Sequence, residues 1–518
     1  MNTLRPISID RRADNLCAGS VDASGRPHAV VIGSGFGGLA AAVRLGARGY
    51  RVTVLEKGDE AGGRGRVFRQ DGFSFDAGPT IITVPYLLEE LWALAGRDFH
   101  AEIDLREMDP FYTILLDDGR RLDICRDAAE MRRRIEAMFP GESSGYERFE
   151  EACRGLCDLA YLGHGDKPMG AALSMIKLIP DLLKHGALRS VHGLAARTIR
   201  NPDLRAILSF HPLLIGGNPF NTTAVYGLIP ELERRWGVHF PMGGTGALVA
   251  GLCDLIAGQG SRIVYGAEVD EILVEEDRAS GVRLASGETM AADIVVSNAD
   301  PGWTYARLLR HRRRFRWPDW RIRASKYSMG LFVWYFGTNR RYEDVPHHSI
   351  LLGPRYRGLL DDIFERRVLA DDFSLYLHRP TATDPSLAPP GHDTFYVLSP
   401  VPNLQADIDW ADTAETYRRR IAEKLEATLL PGLSDSVVSS HVVTPTYFRD
   451  ALNSPHGAGF SLQPLLRQSA WFRPHNKSEE LDGLYLVGAG THPGAGVPGV
   501  LCSAKILDTV VPHADVFR

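Results

Sequence analysis

Short apolar, β-branched runs that end abruptly in glycine are the first pattern along this chain. Ala29-Val30-Val31-Ile32 leads into GSGFGG, then into the small-residue stretch LAAAVRLGARG, then into a second run, Arg51-Val52-Thr53-Val54-Leu55, which stops at Glu56. Apolar runs this short, bounded by glycine, predict buried parallel strands, and the small-residue stretch predicts a helix lying close against them. The same order returns near the far end, where Leu484-Tyr485-Leu486-Val487 precedes GAGTHPGAGVPGV and a helical run begins near Leu501. Between them, residues 260–264 and 267–272 alternate as strands, and a hairpin-like pair ends in residues 293–299.

The glycine spacing carries chemistry. Gly33, Gly35 and Gly38 form G-x-G-x-x-G directly after a strand and at the start of a helix. In that setting Gly33 permits the tight turn, Gly35 lets the backbone approach a pyrophosphate, and Gly38 lets helix and strand pack closely. The new helix directs unpaired amides and the positive end of its dipole at phosphate. Glu56, at the end of the second strand, is placed to accept hydrogen bonds from a ribose diol, and its charge disfavours a 2′-phosphate and hence NADP. GGTGAL at residues 243–248 imitates this loop, but no acidic strand end follows, so it reads as a helix start.

Composition narrows the class without deciding the function. The 518 residues exceed one compact core, so two or three substructures are expected. A hydrophobic fraction of 44% and a net charge of −5 fit a globular protein and exclude polyelectrolyte character, so nucleic acid is not an expected partner. Six cysteines spread thinly form neither a disulfide framework nor a zinc pattern, and no metal is expected. Residues 1–27 are polar and lack a signal-peptide core, which predicts a loose tail on a cytoplasmic protein. No apolar run reaches the ~18 residues a membrane span needs.

Past Glu56, Lys57 leads through Gly58-Asp59-Glu60-Ala61 into Gly62-Gly63-Arg64. This second glycine pair with its arginine resembles the extended FAD motif of the amine oxidase and carotenoid desaturase superfamily. Physically it would add backbone amides and one guanidinium near a pyrophosphate. FDAGPTIIT (75–83), SFHPLLIGGNPF (209–220), FPMGGTGAL, MGLFVWYFG (329–337), QSAWFRPHN (468–476) and VGAGTHPGAGVPGV then resemble, in order and over nearly the whole chain, blocks of the bacterial phytoene desaturases. With GRDF and DPFYTILL after the first motif, the set is most similar to purple-bacterial members.

That resemblance implies an α/β fold: a discontinuous Rossmann-type FAD-binding domain with an α+β substrate domain and a helical membrane-facing part. The expected segments are 28–105, 240–300 and 480–518 for the cofactor, and 106–239 and 301–479 for substrate, the helical part falling around 140–235. The cofactor is expected at Gly33, Gly35, Gly38, Glu56, Lys57, Gly63 and Arg64. Further contacts are expected at Gly78, Pro79 and Thr80 beneath the flavin, at Val269 by the adenine, and at Gly490, Thr491, Gly496 and Val497 in the C-terminal turn. The implied reaction is successive dehydrogenation of 15-cis-phytoene, through partly desaturated carotenes, toward neurosporene or lycopene. A quinone or oxygen reoxidises the flavin.

A carotene has no polar handle, so an apolar tunnel is expected, with Phe210, Leu213, Leu214, Ile215, Phe220, Leu331, Phe332, Val333, Trp334 and Phe336 as its set. Hydride removal also needs a proton acceptor. His492, Asp76 and His211 are the candidates, although His492 equally suits orienting its turn and Asp76 fixing its loop. An insoluble substrate calls for docking on a bilayer from the cytoplasmic side, at the inner or an intracytoplasmic membrane. Residues 169–200, with Pro180 expected to interrupt their helix, and residues 307–326 mix basic and apolar groups in the manner of an interfacial surface. A desaturase of later hydroxylated or methoxylated carotenoids is the neighbouring reading. A non-catalytic isoprenoid-lipid carrier of the Rab GDP-dissociation inhibitor type is the reading from another class.

Overall fold

The computed structural model describes residues 25–517, so most of the 1–27 tail lies outside the described residues. At its centre is a five-stranded, wholly parallel sheet in the order Arg262–Val264, Arg51–Leu55, His28–Ile32, Ile294–Ser297, Leu484–Leu486. In chain order that is 3-2-1-4-5, the doubly wound arrangement in which a ligand crevice opens beyond the strand ends where the order reverses. His28–Ile32 and Ile294–Ser297 are buried along their full length, which is why their sequences are near-continuous apolar runs and not alternating ones. Helix Phe36–Ala47 packs on helices Val497–Lys505 and Thr245–Gly258, joining the two ends and the middle of the chain. It lies so close to the first strand turn that a Cβ on Gly38 would stand 2.0 Å from the Gly33 carbonyl oxygen.

A second, seven-stranded sheet runs Val437–Val443, Gly330–Thr338, Asp393–Val401, Leu375–His378, His348–Leu352, Tyr112–Leu116, Arg121–Ile124. Only the His348–Leu352 and Tyr112–Leu116 pair is parallel. Strand Gly330–Thr338 is buried throughout, and its alternation divides the expected tunnel set. Leu331, Val333 and Tyr335 pack on one face with Phe75 and Tyr396, whereas Phe332, Trp334 and Phe336 pack on the other with Trp410 and Tyr417 of helix Trp410–Thr428. Those three aromatics are core.

The remaining helices gather between residues 128 and 236 around Phe149, Leu156, Leu204 and Phe210. Helix Ala172–Lys184 continues through Pro180 instead of breaking there. Pro180 removes one backbone donor, and an outlying helix leaves the freed carbonyl of Ile176 to water. Among the described residues, no helix is long and apolar enough to cross a membrane.

Strand Asp393–Val401 is secured by a buried ion pair. The Asp393 carboxylate is fully buried and accepts from Arg379 Nε (2.9 Å), Thr381 Oγ1 (2.7 Å) and the Tyr342 amide (2.7 Å). Asp393→Ala leaves the Arg379 guanidinium buried without its counter-charge, and should cost about 3–5 kcal/mol, read as a lowered midpoint in urea unfolding.

Candidate functional site

The parallel sheet ends in a cavity of about 470 Å³ that runs from the glycine loops into the space between the two sheets. Its lining is predominantly apolar, with polar groups concentrated at the sheet end, the usual character of a ligand site.

At that end, Gly33, Gly35, Glu56, Lys57, Gly63 and Arg64 converge on the cavity. The Gly35 and Gly62 backbones meet as a parallel bridge, and a Cβ on Gly63 would come within 3.2 Å of Gly35 Cα. Glu56 is held by amides: Ser34 N donates to Oε2 at 2.9 Å, Ser34 Oγ to the same oxygen at 2.6 Å, and Gly58 N to Oε1 at 2.8 Å. Lys57 Nζ donates to the Asp450 carbonyl at 2.7 Å and Asn453 Oδ1 at 2.9 Å. Val269 lines the same end beside Ala267 and Glu268.

Arg64 gives the clearest sign of the charge this end would take. Its Nε donates to the Gly459 carbonyl at 2.7 Å and its Nη2 to Ser454 Oγ at 3.3 Å. Desolvation pulls its pKa below the ordinary guanidinium value, and Asp300 counteracts this only in part. A cation in this position, beside backbone amides and a glycine cradle that a Cβ would crowd, fits a pyrophosphate.

The C-terminal turn closes the cavity from the other side. Gly496 and Val497 line it, and helix Val497–Lys505 starts there with its free amides at the cavity wall. Gly490 and Thr491 lie behind the lining; a Cβ on Gly490 would strike Pro301 at 2.3 Å, and Thr491 is fully buried. The turn is pinned by residues of the QSAWFRPHN block: Arg473 donates to the Ala489 carbonyl at 2.7 Å, and Asn476 Nδ2 to the His492 carbonyl at 3.1 Å. Gly38 also lies behind the cavity, in the packing role its spacing predicts.

Gly78, Pro79 and Thr80 line the floor. Thr80 Oγ1 is 2.7 Å from Tyr396 Oη and 2.9 Å from Tyr376 Oη, and Tyr376 Oη is 2.8 Å from His348 Nδ1.

The three candidate proton acceptors all stand outside the lining. Asp76 accepts from the Thr245 amide at 2.9 Å and so caps helix Thr245–Gly258; burial raises its pKa to about 6. His492 Nε2 is 3.2 Å from the Lys167 carbonyl, and burial, with Arg473 nearby, lowers its pKa to about 3. His211 is one layer back, 2.8 Å from Tyr112 Oη and 3.3 Å from Glu233 Oε2. Glu233 itself lines the cavity. Sequence reasoning passed over it because ELERRW reads as an exposed charged turn; its burial is set by packing and carries no local signal.

The apolar walls come from Phe210, Leu213, Leu214, Ile215, Leu331 and Val333, the inward half of the expected set. Phe220 lies off the cavity, against His192 and beneath Arg357. Asn298 was not anticipated either: Cβ atoms built on Gly35, Gly37 and Gly488 would each meet its side chain within 3 Å, so it fills the space between the two glycine loops.

Comparison with known proteins agrees with this geometry. The family profile of flavin containing amine oxidoreductase matches residues 36–506. The chain is 48% identical to a phytoene desaturase (neurosporene-forming) of Rhodobacter capsulatus over 96% of each chain. It is 50% identical to the enzyme of that name from Cereibacter sphaeroides, over 95% of this chain and 96% of that one. A phytoene desaturase (lycopene-forming) of Pseudescherichia vulneris is 48% identical over 92% and 97%. Among solved structures, cyclohexylamine oxidase from Brevibacterium oxydans superposes with a TM-score of 0.60 at 15% identity, covering 95% of this chain and 100% of that one, a likeness of fold.

Replacing Gly35 with valine puts branched carbons against Asn298 and into the cradle. Gly35→Val should purify without flavin absorbance while keeping the far-UV circular dichroism of the parent; normal flavin content in the variant would overturn the placement.

Proposed function

The chain belongs to the flavin containing amine oxidoreductase family and, within it, to the phytoene desaturases; on that footing we propose that it takes phytoene through successive dehydrogenations to neurosporene or lycopene at a membrane surface. The observation that carries this reading is one cavity with two characters, a glycine-lined end with Arg64 and a long, predominantly apolar end walled by Leu213, Ile215, Leu331, Val333, Ile350 and Leu398. FAD is the cofactor, and the cradle described above would hold it: Gly33, Gly35, Gly63 and Arg64 at the pyrophosphate, Glu56 at the ribose, Val269 by the adenine, and Thr80, Gly496 and Val497 around the ring. When bound, it supplies the two-electron oxidising power of the reaction. We assign its domain to segments 28–105, 240–300 and 480–518, with substrate held by 106–239 and 301–479.

The protein's own part is positioning and exclusion of water. Leu213, Ile215, Leu331, Val333, Ile350 and Leu398 offer a polyene only dispersion contacts, so shape and length decide which bond lies at the polar end. Holding the reacting carbons there is worth several kcal/mol of the barrier. The amides opening helix Val497–Lys505 favour negative charge gathering at that end of the cavity. A quinone or oxygen is the proposed final acceptor of the electrons.

Membrane docking is supported by the outlying helix. Ile176, Leu183 and Leu188 are 59%, 51% and 62% exposed, on a segment that also carries Lys177, Lys184 and Arg189. Tyr161, ahead of this helix in the chain, lines the cavity, and its neighbour Leu162 is exposed, so the apolar surface reaches toward the cavity wall. The second basic segment is less suited: Arg310 pairs with Asp270, Arg312 with Asp277, Arg314 with Asp319 and Arg316 with Glu479, which cancels much of its charge.

Anaerobic addition of phytoene in liposomes to the FAD-loaded protein should bleach the flavin band as coloured polyenes appear. An unbleached flavin would move the assignment to a later carotenoid or to a carrier. The triple variant Ile176→Asp, Leu183→Asp, Leu188→Asp should lose flotation with anionic liposomes and keep its flavin; undiminished flotation would remove this helix from the docking surface.

A further inference from the structure

One ionisable group faces the apolar part of the cavity with no role in holding the cofactor. Glu233 is 2% exposed, yet it belongs to the cavity lining together with Phe210, Leu228, Ile229 and Leu232. Its two carboxylate oxygens are treated differently. Oε2 accepts from the Tyr112 hydroxyl at 2.8 Å and lies 3.3 Å from His211 Nε2; Oε1 has no hydrogen-bond partner among the described residues. A buried carboxylate oxygen left without a donor is costly, and such groups persist where they have work to do.

Glu233 also stands at a partition. Behind it is a second, smaller cavity, which it lines together with Tyr112, His211, Tyr146, Glu150, Glu231, Arg234 and Arg126. Glu231 is bound by Arg234 and Arg235, at 2.6 and 2.7 Å, while Glu150 has Tyr146 close by and has its pKa raised by burial. Most of this small cavity's lining is apolar, and its ionisable side chains run from Glu233 to Arg126, which is exposed.

We propose that Glu233 is the proton acceptor of the dehydrogenation, with Tyr112 and His211 as the positioning pair that takes the proton on from it; this rests on the desaturase reading above. One substrate carbon loses hydrogen together with both electrons of its C–H bond, as a hydride, to a two-electron oxidant of the flavin class. The adjacent carbon loses a proton to the Glu233 carboxylate, and the electron pair it leaves behind becomes the second bond of the new C=C. Glu233 returns to its carboxylate state by passing the proton through Tyr112 and His211 toward Glu150 and solvent. His211, a candidate acceptor by sequence, then acts one step removed from the substrate.

Glu233→Gln keeps the volume and removes the basic oxygen. Its flavin content and its binding of a coloured carotene, read by absorbance, should match the parent, while single-turnover desaturation falls by ~10²–10⁴-fold, the range for loss of a positioned base. The infrared difference spectrum of the parent, recorded on anaerobic turnover, should contain a protonated carboxyl C=O band that is absent from Glu233→Gln. Should that variant lose its flavin, Tyr112→Phe provides the second arm. Removing a donor from the carboxylate raises its pKa, so the acid limb of the rate–pH profile should move to higher pH, a shift that a merely structural role would not produce. Turnover in Glu233→Gln within ~3-fold of the parent, or an unmoved acid limb in Tyr112→Phe, overturns the assignment. A parent protein that phytoene fails to reduce overturns instead the reading on which it rests.

Discussion

The structure depends on how closely three distant pieces of chain approach one another beyond the ends of the parallel sheet. A Cβ on Gly37 would stand 3.1 Å from Gly488 Cα, and the Asn298 side chain occupies the remaining space between the two loops. Because the loops carry no side chains there, the helices behind them come together, and the amides at both helix starts open on one cavity. The close contact is therefore a condition for the site as well as for the fold. The strand order is its topological counterpart: segments entering at residues 28, 294 and 484 pair side by side, and the crevice opens where the order reverses.

Much of this was legible because the physical requirement leaves little choice of residue. A tight turn, a close backbone approach and a helix start require glycine at fixed offsets, so Gly33, Gly35 and Gly38 announce themselves, and a ribose-facing acid belongs at a strand end, where Glu56 is found. The apolar half was less legible. Phe332, Trp334 and Phe336 have the same composition as Leu331 and Val333, and only strand pairing reveals which face meets the cavity and which meets Trp410. Glu233 left no trace at all. It lies between Glu231 and Arg234, in a stretch that reads as a solvated helix surface, and it is buried because Tyr112 and His211 arrive from elsewhere in the chain.

The expected histidine and aspartate stand behind the cavity lining, where their partners hold them. His492 is enclosed near the cation Arg473, conditions that keep it neutral and hold its ring for the turn. Asp76 spends one oxygen capping helix Thr245–Gly258, linking the floor of the cavity to the helix behind it. These groups brace the walls. Among the described carboxylates, lining of the main cavity and an unpaired oxygen coincide at Glu233.

Two charged groups of the lining are at chemically opposite places. Arg64 lies at the glycine-lined end, with Asp300 partly offsetting its desolvation; Glu233 lies among leucines, with Tyr112 and His211 on one oxygen and no partner on the other among the described residues. A buried charge recovers its desolvation cost only through its partners. Nothing in a hydrocarbon substrate pairs with Glu233, so its cost is relieved only in the moment it takes up a proton.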